Sequence, residues 1–470
     1  MFIYTLLDDI LLGIITVIWL TNVPIAFVSI VRFVKNRETF IGKDVQRIHN
    51  DPVIIFQITS RSATKTPVVL RGIDSVIKSC GKIKYHDYRI SVITEDPEDF
   101  DTLADSNAEV VLVDKKFNSN AIKKGRALQY AVEYRRKVGR NSSKYWIFHM
   151  DDESYVTHQT ILSLLKAIRE GQGLAFEGPI FYPLKFESAN ILTALAESIR
   201  PFTCYDCVSQ MKNEQYVKTS PLHMHGSNLL VRSDVEDSIG WNFGATLAED
   251  QMFGYRVYHK YGPKSMGWHG GILLEQPPLN IKDHFMQRRR WVLGSLQNIN
   301  QFPRMHRIKL FYKLLTYFMG FASGFISTII SLHMNLSLFL IVASNTLINY
   351  RVGADNMAVL GNLLKSFYSE MTAHFFGNMD PFQFGIGSIL LFSSVIWLLS
   401  YQIGLFLNLR YSTVAWSKRF LLHFQTLLLC PVLGLVETFP AFWTLIEYHA
   451  KGKTSRSAKK LIYDFYVINK

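Results

Sequence analysis

Three short groups of residues in this chain are equipped for chemistry. Asp151, Asp152 and Glu153 are adjacent acids, Glu249 and Asp250 form a carboxylate pair, and Gln287-Arg288-Arg289-Arg290-Trp291 is a basic run closed by an indole. Adjacent acids at the end of a buried strand repel one another and are costly unless a cation sits among them. Hard oxygen donors suit Mg2+ or Mn2+, which keep waters and bridge to substrate phosphates. A solvated acidic turn is the competing account, but such a turn has no need of the apolar run YWIFHM at 145–150 that leads into it. Glu249 and Asp250 either complement the dipole of a helix bearing Phe253 and Tyr258, or one of them is a general base that takes a proton from an attacking hydroxyl. In the third group a guanidinium grips phosphate oxygens in a fork, and the indole offers a flat apolar face to a sugar ring. Taken alone, basic residues near an apolar segment mark membrane topology or lipid headgroup contact.

The elements that must position these groups follow from the apolar pattern. Residues 52–58 (PVIIFQI), 88–93 (YRISVI) and 109–113 (EVVLV) read, with 145–150, as buried strands, and 66–79 reads as a crossover helix. Ligands of open α/β sheets bind at the carboxyl edge of the strands, which makes Thr59, Arg61, Glu95 and Asp96 plausible nucleotide contacts, with ordinary turn chemistry as the alternative. Lys123-Lys124-Gly125-Arg126 opens a helix running through Tyr134, and Lys124 and Arg126 with the free N–H groups there make an anion seat. Neither a Walker lysine loop nor a dinucleotide-binding glycine fingerprint occurs at that position, which argues against a Walker ATPase or a Rossmann dehydrogenase. Gly226 and Ser227 let backbone approach a ligand closely. His223, His225 and His269 are possible ligands, although lone histidines are more often structural.

The 470 residues carry a formal charge of +13, an apolar fraction of 48% and four cysteines. The charge suits anionic partners such as nucleotide phosphates or anionic lipids; nucleic acid is set aside because no basic stripe with interleaved aromatics is present. Cys204 and Cys207 supply half a zinc site without a second pair, so reduced thiols in a cytosol-facing domain are expected. Residues 10–34 are long enough to cross a hydrocarbon core of roughly 30 Å and are read as a retained anchor, with Arg32, Lys35 and Arg37 placing the following segment in the cytosol. Further apolar runs lie near 314–343, 384–409 and 420–446. The last contains Pro431, Glu437 and Pro440 and is expected to dip and return or to pack irregularly, which leaves three or four crossings. The expected organisation is a membrane anchor over 1–42, a cytosolic domain over 43–309, a membrane region over 310–450 and a basic cytosolic tail over 451–470.

Taken in order, these groups resemble the motifs of membrane-bound inverting glycosyltransferases of family 2, over roughly residues 50 to 345. Asp151-Asp152-Glu153 looks like the Asp-x-Asp metal motif, Glu249-Asp250 like the Glu-Asp catalytic motif, and Gln287 to Trp291 like the Gln-x-x-Arg-Trp motif. Phe56 to Arg61, Lys124 to Tyr130, His149 to Ser154 and His225 to Arg232 look like the egghead-type β-1,4-mannosyltransferases, with departures at Ser60, Ser62 and Gly125. The resemblance implies an α/β GT-A nucleotide-diphospho-sugar transferase domain with flanking transmembrane helices. It implies that Asp151 and Glu153 hold Mn2+ or Mg2+ against the diphosphate. Asp250, beside Glu249, would deprotonate the acceptor; Arg290, helped by Gln287, would hold diphosphate, and Trp291 would line the acceptor channel. Implied partners are a nucleotide-sugar donor, GDP-mannose favoured and a UDP-sugar the alternative, a lipid-linked sugar acceptor and membrane lipids. The implied location is the plasma membrane of a prokaryote or the ER/Golgi of a eukaryote, with the catalytic domain facing the cytosol. A processive β-polysaccharide synthase and a non-catalytic membrane scaffold are the competing readings.

Overall fold

The central strand of the fold is β1 (Val53–Thr59), a nearly unbroken apolar run, as expected of a strand covered on both faces. The computed structural model describes residues 51–60, 66–211, 220–315 and 381–451, together with residues 13, 27, 28 and 30–35. Arg61, most of the expected anchor at 10–34, most of the apolar run at 314–343 and the tail at 452–470 lie outside the described residues.

β1 pairs in parallel with β2 (Tyr88–Thr94) on one side and β4 (Tyr145–Asp151) on the other; β2 in turn pairs in parallel with β3 (Glu109–Leu112). The four strands expected from the sequence are therefore all present. Beyond β4 the direction changes. β8 (Leu229–Arg232) runs antiparallel to β4, β6 (Ala175–Glu177) antiparallel to β8, and β9 (Met266–Trp268) parallel to β6. The result is a mixed sheet of seven strands in the order β3-β2-β1-β4-β8-β6-β9, accompanied by a second sheet in which β10 (Leu273–Leu274) lies between β5 (Tyr155–Val156) and β7 (Ile180–Phe181).

Both faces of the large sheet are covered. Alternate residues of β1 point to opposite sides: Ile54, Phe56 and Ile58 pack with Val69, Ile73 and Val76 of the helix Thr66–Lys82, whereas Ile55 joins Leu128 and Val132 of the helix Lys123–Lys137. The register Thr59↔Asp151 sets the carboxyl ends of β1 and β4 side by side, and the acids of residues 151–153 emerge from that edge. This is the place where an open α/β sheet accepts ligands.

Behind it lies a buried polar network. Arg135 bonds Gln57 of β1 and donates to Glu236 Oε2 at 2.6 Å, while Trp241 Nε1 donates to Glu236 Oε1 at 2.6 Å and His149 Nε2 lies 3.2 Å from that same oxygen. Burial pushes the Glu236 carboxyl up, but Arg135 and His149 more than offset it and hold the group at about 2. Trp241 stacks on Phe253 at 4.3 Å, so the network also ties β4 to the helix Glu249–Tyr261.

The helix Pro381–Arg410 and the helix Trp416–Lys451 dock against the α/β part through Tyr401, Leu405, Leu409 and Leu433, which meet Leu195 and Ile199. Among the described residues no single helix is long and apolar enough to cross a membrane; Trp416–Cys430 and Val432–Ala450 pass that test only as a pair, bent by 60°. The bend falls at Pro431, where the missing N–H removes a helical hydrogen bond. The run at 420–446, expected to dip and return or to pack irregularly, is accordingly bent rather than straight. Within the helix Pro381–Arg410, the stretch Val395–Arg410 counts as a shorter apolar helix.

Candidate active site

At the carboxyl edge of β1 and β4, Lys124 does two things. Its ammonium pairs with Asp151 and donates to the carbonyl of Gly226 at 2.9 Å. Lys124 is in the first turn of the helix Lys123–Lys137, whose first residue takes a positive φ of 53°, and no side chain caps that helix start.

Gly226 is the point where three functional segments meet. A Cβ built there would lie 2.9 Å from Asp250 Oδ2 and 3.2 Å from Lys124 Nζ. Asp250 therefore shares one small space with Lys124 and the Gly226 backbone, and Lys124 links that space to Asp151. Gly226→Ala should cut activity by about 10²-fold with folding intact, because only the two side chains must move; unchanged turnover would show that the close approach is dispensable.

Burial and the adjacent charge of Glu249 push the Asp250 carboxyl up to about 7, against the opposing pull of Lys124, the Gln251 N–H and Arg290. A carboxyl poised there exchanges protons at neutral pH, which is the property a general base needs. Glu249 is itself buried, and its Cβ would lie 3.6 Å from a Cβ at Gly125, so it packs over the start of the Lys123–Lys137 helix.

The turn leading into Glu249 is clamped by the helix Ile281–Asn298. Asn298 Nδ2 donates to the Ala248 carbonyl at 2.9 Å, the Leu247 N–H donates to Gln297 Oε1 at 2.9 Å, and a Cβ on Gly294 would come within 2.7 Å of Ala248. The same helix carries Gln287 to Trp291, so the second and third sequence groups are fastened together. Arg290 is close enough to act on the charge of Asp250.

Other residues of the basic run are engaged differently from what the sequence suggests. Gln287 is buried and accepts from Arg288 Nη1 at 2.7 Å. Trp291 does not present an open face for a sugar: the guanidinium carbons of Arg200 and Arg288 lie 4.5 and 4.3 Å from its ring centroid. These are cation–π distances. Arg288 bridges Glu197 at 2.7 Å and Glu437 at 2.9 Å, Arg200 also meets Glu437 at 3.0 Å, and Arg289 pairs with Glu447 at 2.7 Å. The run thus locks the Trp416–Lys451 helix onto the α/β part. Sequence reasoning missed Glu197, Arg200 and Glu447 because nothing in their neighbourhoods along the chain announces the partners; Glu437 was noticed only as a charge in an apolar run.

The acidic turn after β4 divides its members. Asp151 stands partly exposed at the strand end, facing the Lys124 ammonium. Glu153 is 3% exposed and acts electrostatically on Arg71, whose Nη2 donates to the Glu153 carbonyl at 3.3 Å. Ser154 and Ser227 both donate to Glu275 Oε1, at 3.2 and 2.8 Å, which ties this turn to the segment carrying Gly226. The donor type suits a divalent ion of the Mg2+ or Mn2+ kind, which would have to displace the Lys124 ammonium from Asp151.

At the nucleotide edge, Thr59 is buried at the end of β1, and Glu95 pairs with Arg126 at 2.5 Å. Arg126 also donates to the Asp114 carbonyl at 2.6 Å. Two expected nucleotide contacts therefore bind one another and a loop. Asp96 caps the helix Pro97–Leu103 by accepting from the Glu98 N–H, the turn role that was the alternative reading. His269 is structural: it is buried, its Nε2 meets the Asn228 carbonyl at 3.1 Å, and burial lowers it to about 4.

With this geometry in view, residues 146–352 match glycosyl transferase family group 2. The resemblance to family 2 glycosyltransferases holds. The chain is 25% identical over 239 residues to the beta-1,4-mannosyltransferase egh of Drosophila melanogaster, covering 50% of each chain. It is 25% identical over 253 residues to the beta-1,4-mannosyltransferase bre-3 of Caenorhabditis elegans, covering 53% of each. The match spans about half the length of these relatives. Among solved structures, a mannosyltransferase from Pyrobaculum calidifontis in complex with GDP-Man and Mn2+ is 10% identical with a TM-score of 0.41, covering 81% of this chain and 98% of that one. The mixed α/β sheet with its carboxyl-edge acids agrees with the GT-A-type fold expected of such glycosyltransferases.

Proposed function

We propose that this protein transfers a hexosyl group, with inversion, from a nucleoside-diphosphate sugar to a hydroxyl of a membrane-associated glycolipid, with mannose from GDP-mannose as the favoured donor. The observation that carries this reading is the meeting of Asp250, Lys124 and Asp151 around the bare backbone of Gly226. The names of the 25%-identical relatives favour β-linked mannose.

In this mechanism Asp250 accepts the proton of the acceptor hydroxyl as its oxygen attacks the anomeric carbon opposite the diphosphate, and no covalent enzyme intermediate is needed. Lys124 and Arg290 supply positive charge where the leaving diphosphate gathers negative charge. Gln287, by accepting from Arg288, would hold the helix that also carries Arg290. Asp151 and Glu153 would hold a Mn2+ or Mg2+ ion, which when bound neutralises the departing diphosphate. Thr59 and the Glu95–Arg126 pair form the rim on the nucleotide side; in this reading Arg126 positions Glu95 instead of binding phosphate. The exposed apolar side chains of Trp416, Phe420 and Leu428 support a membrane-facing role for the bent helix and an integral membrane location.

Purified protein incubated with GDP-mannose, UDP-glucose and UDP-N-acetylglucosamine, each with Mn2+ and a glucosyl lipid, tests this directly. GDP should be released with one added mannose, and EDTA should reduce transfer by about 10²-fold or more, the scale of metal charge stabilisation. A polymer product overturns single addition, and absence of transfer from every donor overturns the reading as a whole.

A further inference from the structure

We propose that Cys204, Cys207, His223 and His225 form a structural zinc site separate from the acidic turn. Cys207 Sγ lies 3.1 Å from His223 Nε2 and 3.6 Å from His225 Nε2. Among the described residues this is the only group of three or more ligating His, Cys, Asp or Glu side chains whose donor atoms all fall within 4.8 Å of one another. Cys204 lies outside that 4.8 Å group and would turn in as the fourth ligand. It stands one helical turn before Cys207 on the helix Arg200–Met211, on the same face.

The separations suit a tetrahedral ion. Zinc–sulfur and zinc–nitrogen bonds of about 2.3 and 2.0 Å at a tetrahedral angle put sulfur and nitrogen about 3.5 Å apart. His225 already has the surroundings of a metal-bound imidazole. Its Nδ1 lies 2.9 Å from Glu177 Oε1, a buried carboxylate also fixed by the His225 backbone N–H at 2.6 Å, which leaves Nε2 aimed at the thiols. A carboxylate holding the far nitrogen of a histidine ligand is the usual second layer of a zinc centre. His223 turns the same way, while Met224 between them is buried against Gly254. Lys313 Nζ sits 2.8 Å from His223 Nδ1 and must turn away when that nitrogen carries the proton.

Two thiolates with two imidazoles select zinc over the hard ions that suit the acidic turn. The spacing is Cys-x-x-Cys followed by His-x-His, with the histidines sixteen and eighteen residues after Cys207. Such a centre would pin the helix Arg200–Met211 to the segment that delivers Gly226, one residue beyond His225.

Metal content of the purified full-length chain, dialysed against EDTA, tests the site without any assay of transfer. About one zinc per chain should remain. Cys204→Ser or Cys207→Ser should lower it at least about tenfold, whereas Asp151→Asn should leave it in place. Should the cysteine variants fail to fold, Co2+ exchanged into the wild-type protein should give thiolate-to-cobalt absorption and tetrahedral visible bands. Zinc far below stoichiometry in the wild type, a native Cys204–Cys207 disulfide, missing cobalt bands, or zinc lost with Asp151→Asn but kept with Cys207→Ser would each overturn the proposal.

Discussion

Asp250→Asn should lower sugar transfer by about 10²- to 10⁴-fold, the range that a positioned general base contributes, while donor binding is spared. The wild-type protein should lose activity as pH falls through about 7, because burial and Glu249 lift the Asp250 carboxyl to that value and protonation removes the base. The stability effect has the opposite sense. A carboxyl raised from 3.8 to about 7 binds its proton more tightly in the folded state, so its ionisation destabilises the fold progressively as pH rises between those values. The amide carries no such cost, and Asp250→Asn should melt no lower than wild type at pH 8. Loss of transfer together with a retained or raised melting temperature would separate chemistry from misfolding. Near-normal turnover in the variant would remove Asp250 as the base.

Glu197→Gln should destabilise the protein by about 3–5 kcal/mol, the cost of removing one partner from a buried ion cluster. Glu197 is fully buried, 2.7 Å from Arg288, 3.2 Å from His284 and 3.5 Å from Arg200. Burial pushes its carboxyl up, yet Arg288, His284 and Arg200 together hold it well below the usual carboxylate range. The stabilisation it brings is therefore complete at neutral pH and is lost only in strong acid. Removing the charge leaves Arg288 and Arg200 sharing the Glu437 carboxylate, at the junction between the helix Ile281–Asn298 and the helix Trp416–Lys451. Because the first of these helices also clamps the approach to Asp250, transfer should fall with stability. Thermal unfolding of the variant at neutral pH measures the effect, and an unchanged melting temperature would show that the cluster contributes no stability.

Much of the fold was legible because its signals are local. The strands at 52–58, 88–93, 109–113 and 145–150 are short apolar runs broken by polar turns, and each forms part of the sheet. The helices near 66, 123 and 249 also form where the pattern places them. The antiparallel strand Leu229–Arg232 was unread because its four residues carry too little pattern to separate strand from helix. The bend within 420–446 was legible too, because Pro431 lacks the N–H that a straight helix needs there.

The sequence alone determined which chemical groups this protein possesses and which strand end delivers the acids at Asp151, since both follow from residue type and from the unbroken buried run of β4 that leads into them. Tertiary structure decided how those groups pair. Lys124 reaches Asp151 and Gly226, Arg126 is taken by Glu95, Arg200 and Arg288 cover Trp291, and His223 and His225 come to Cys207. The physical reason is range. Backbone propensity acts over a few neighbours, whereas an ion pair or a ligand set depends on distance in space between residues that can be far apart along the chain, and packing alone sets that distance.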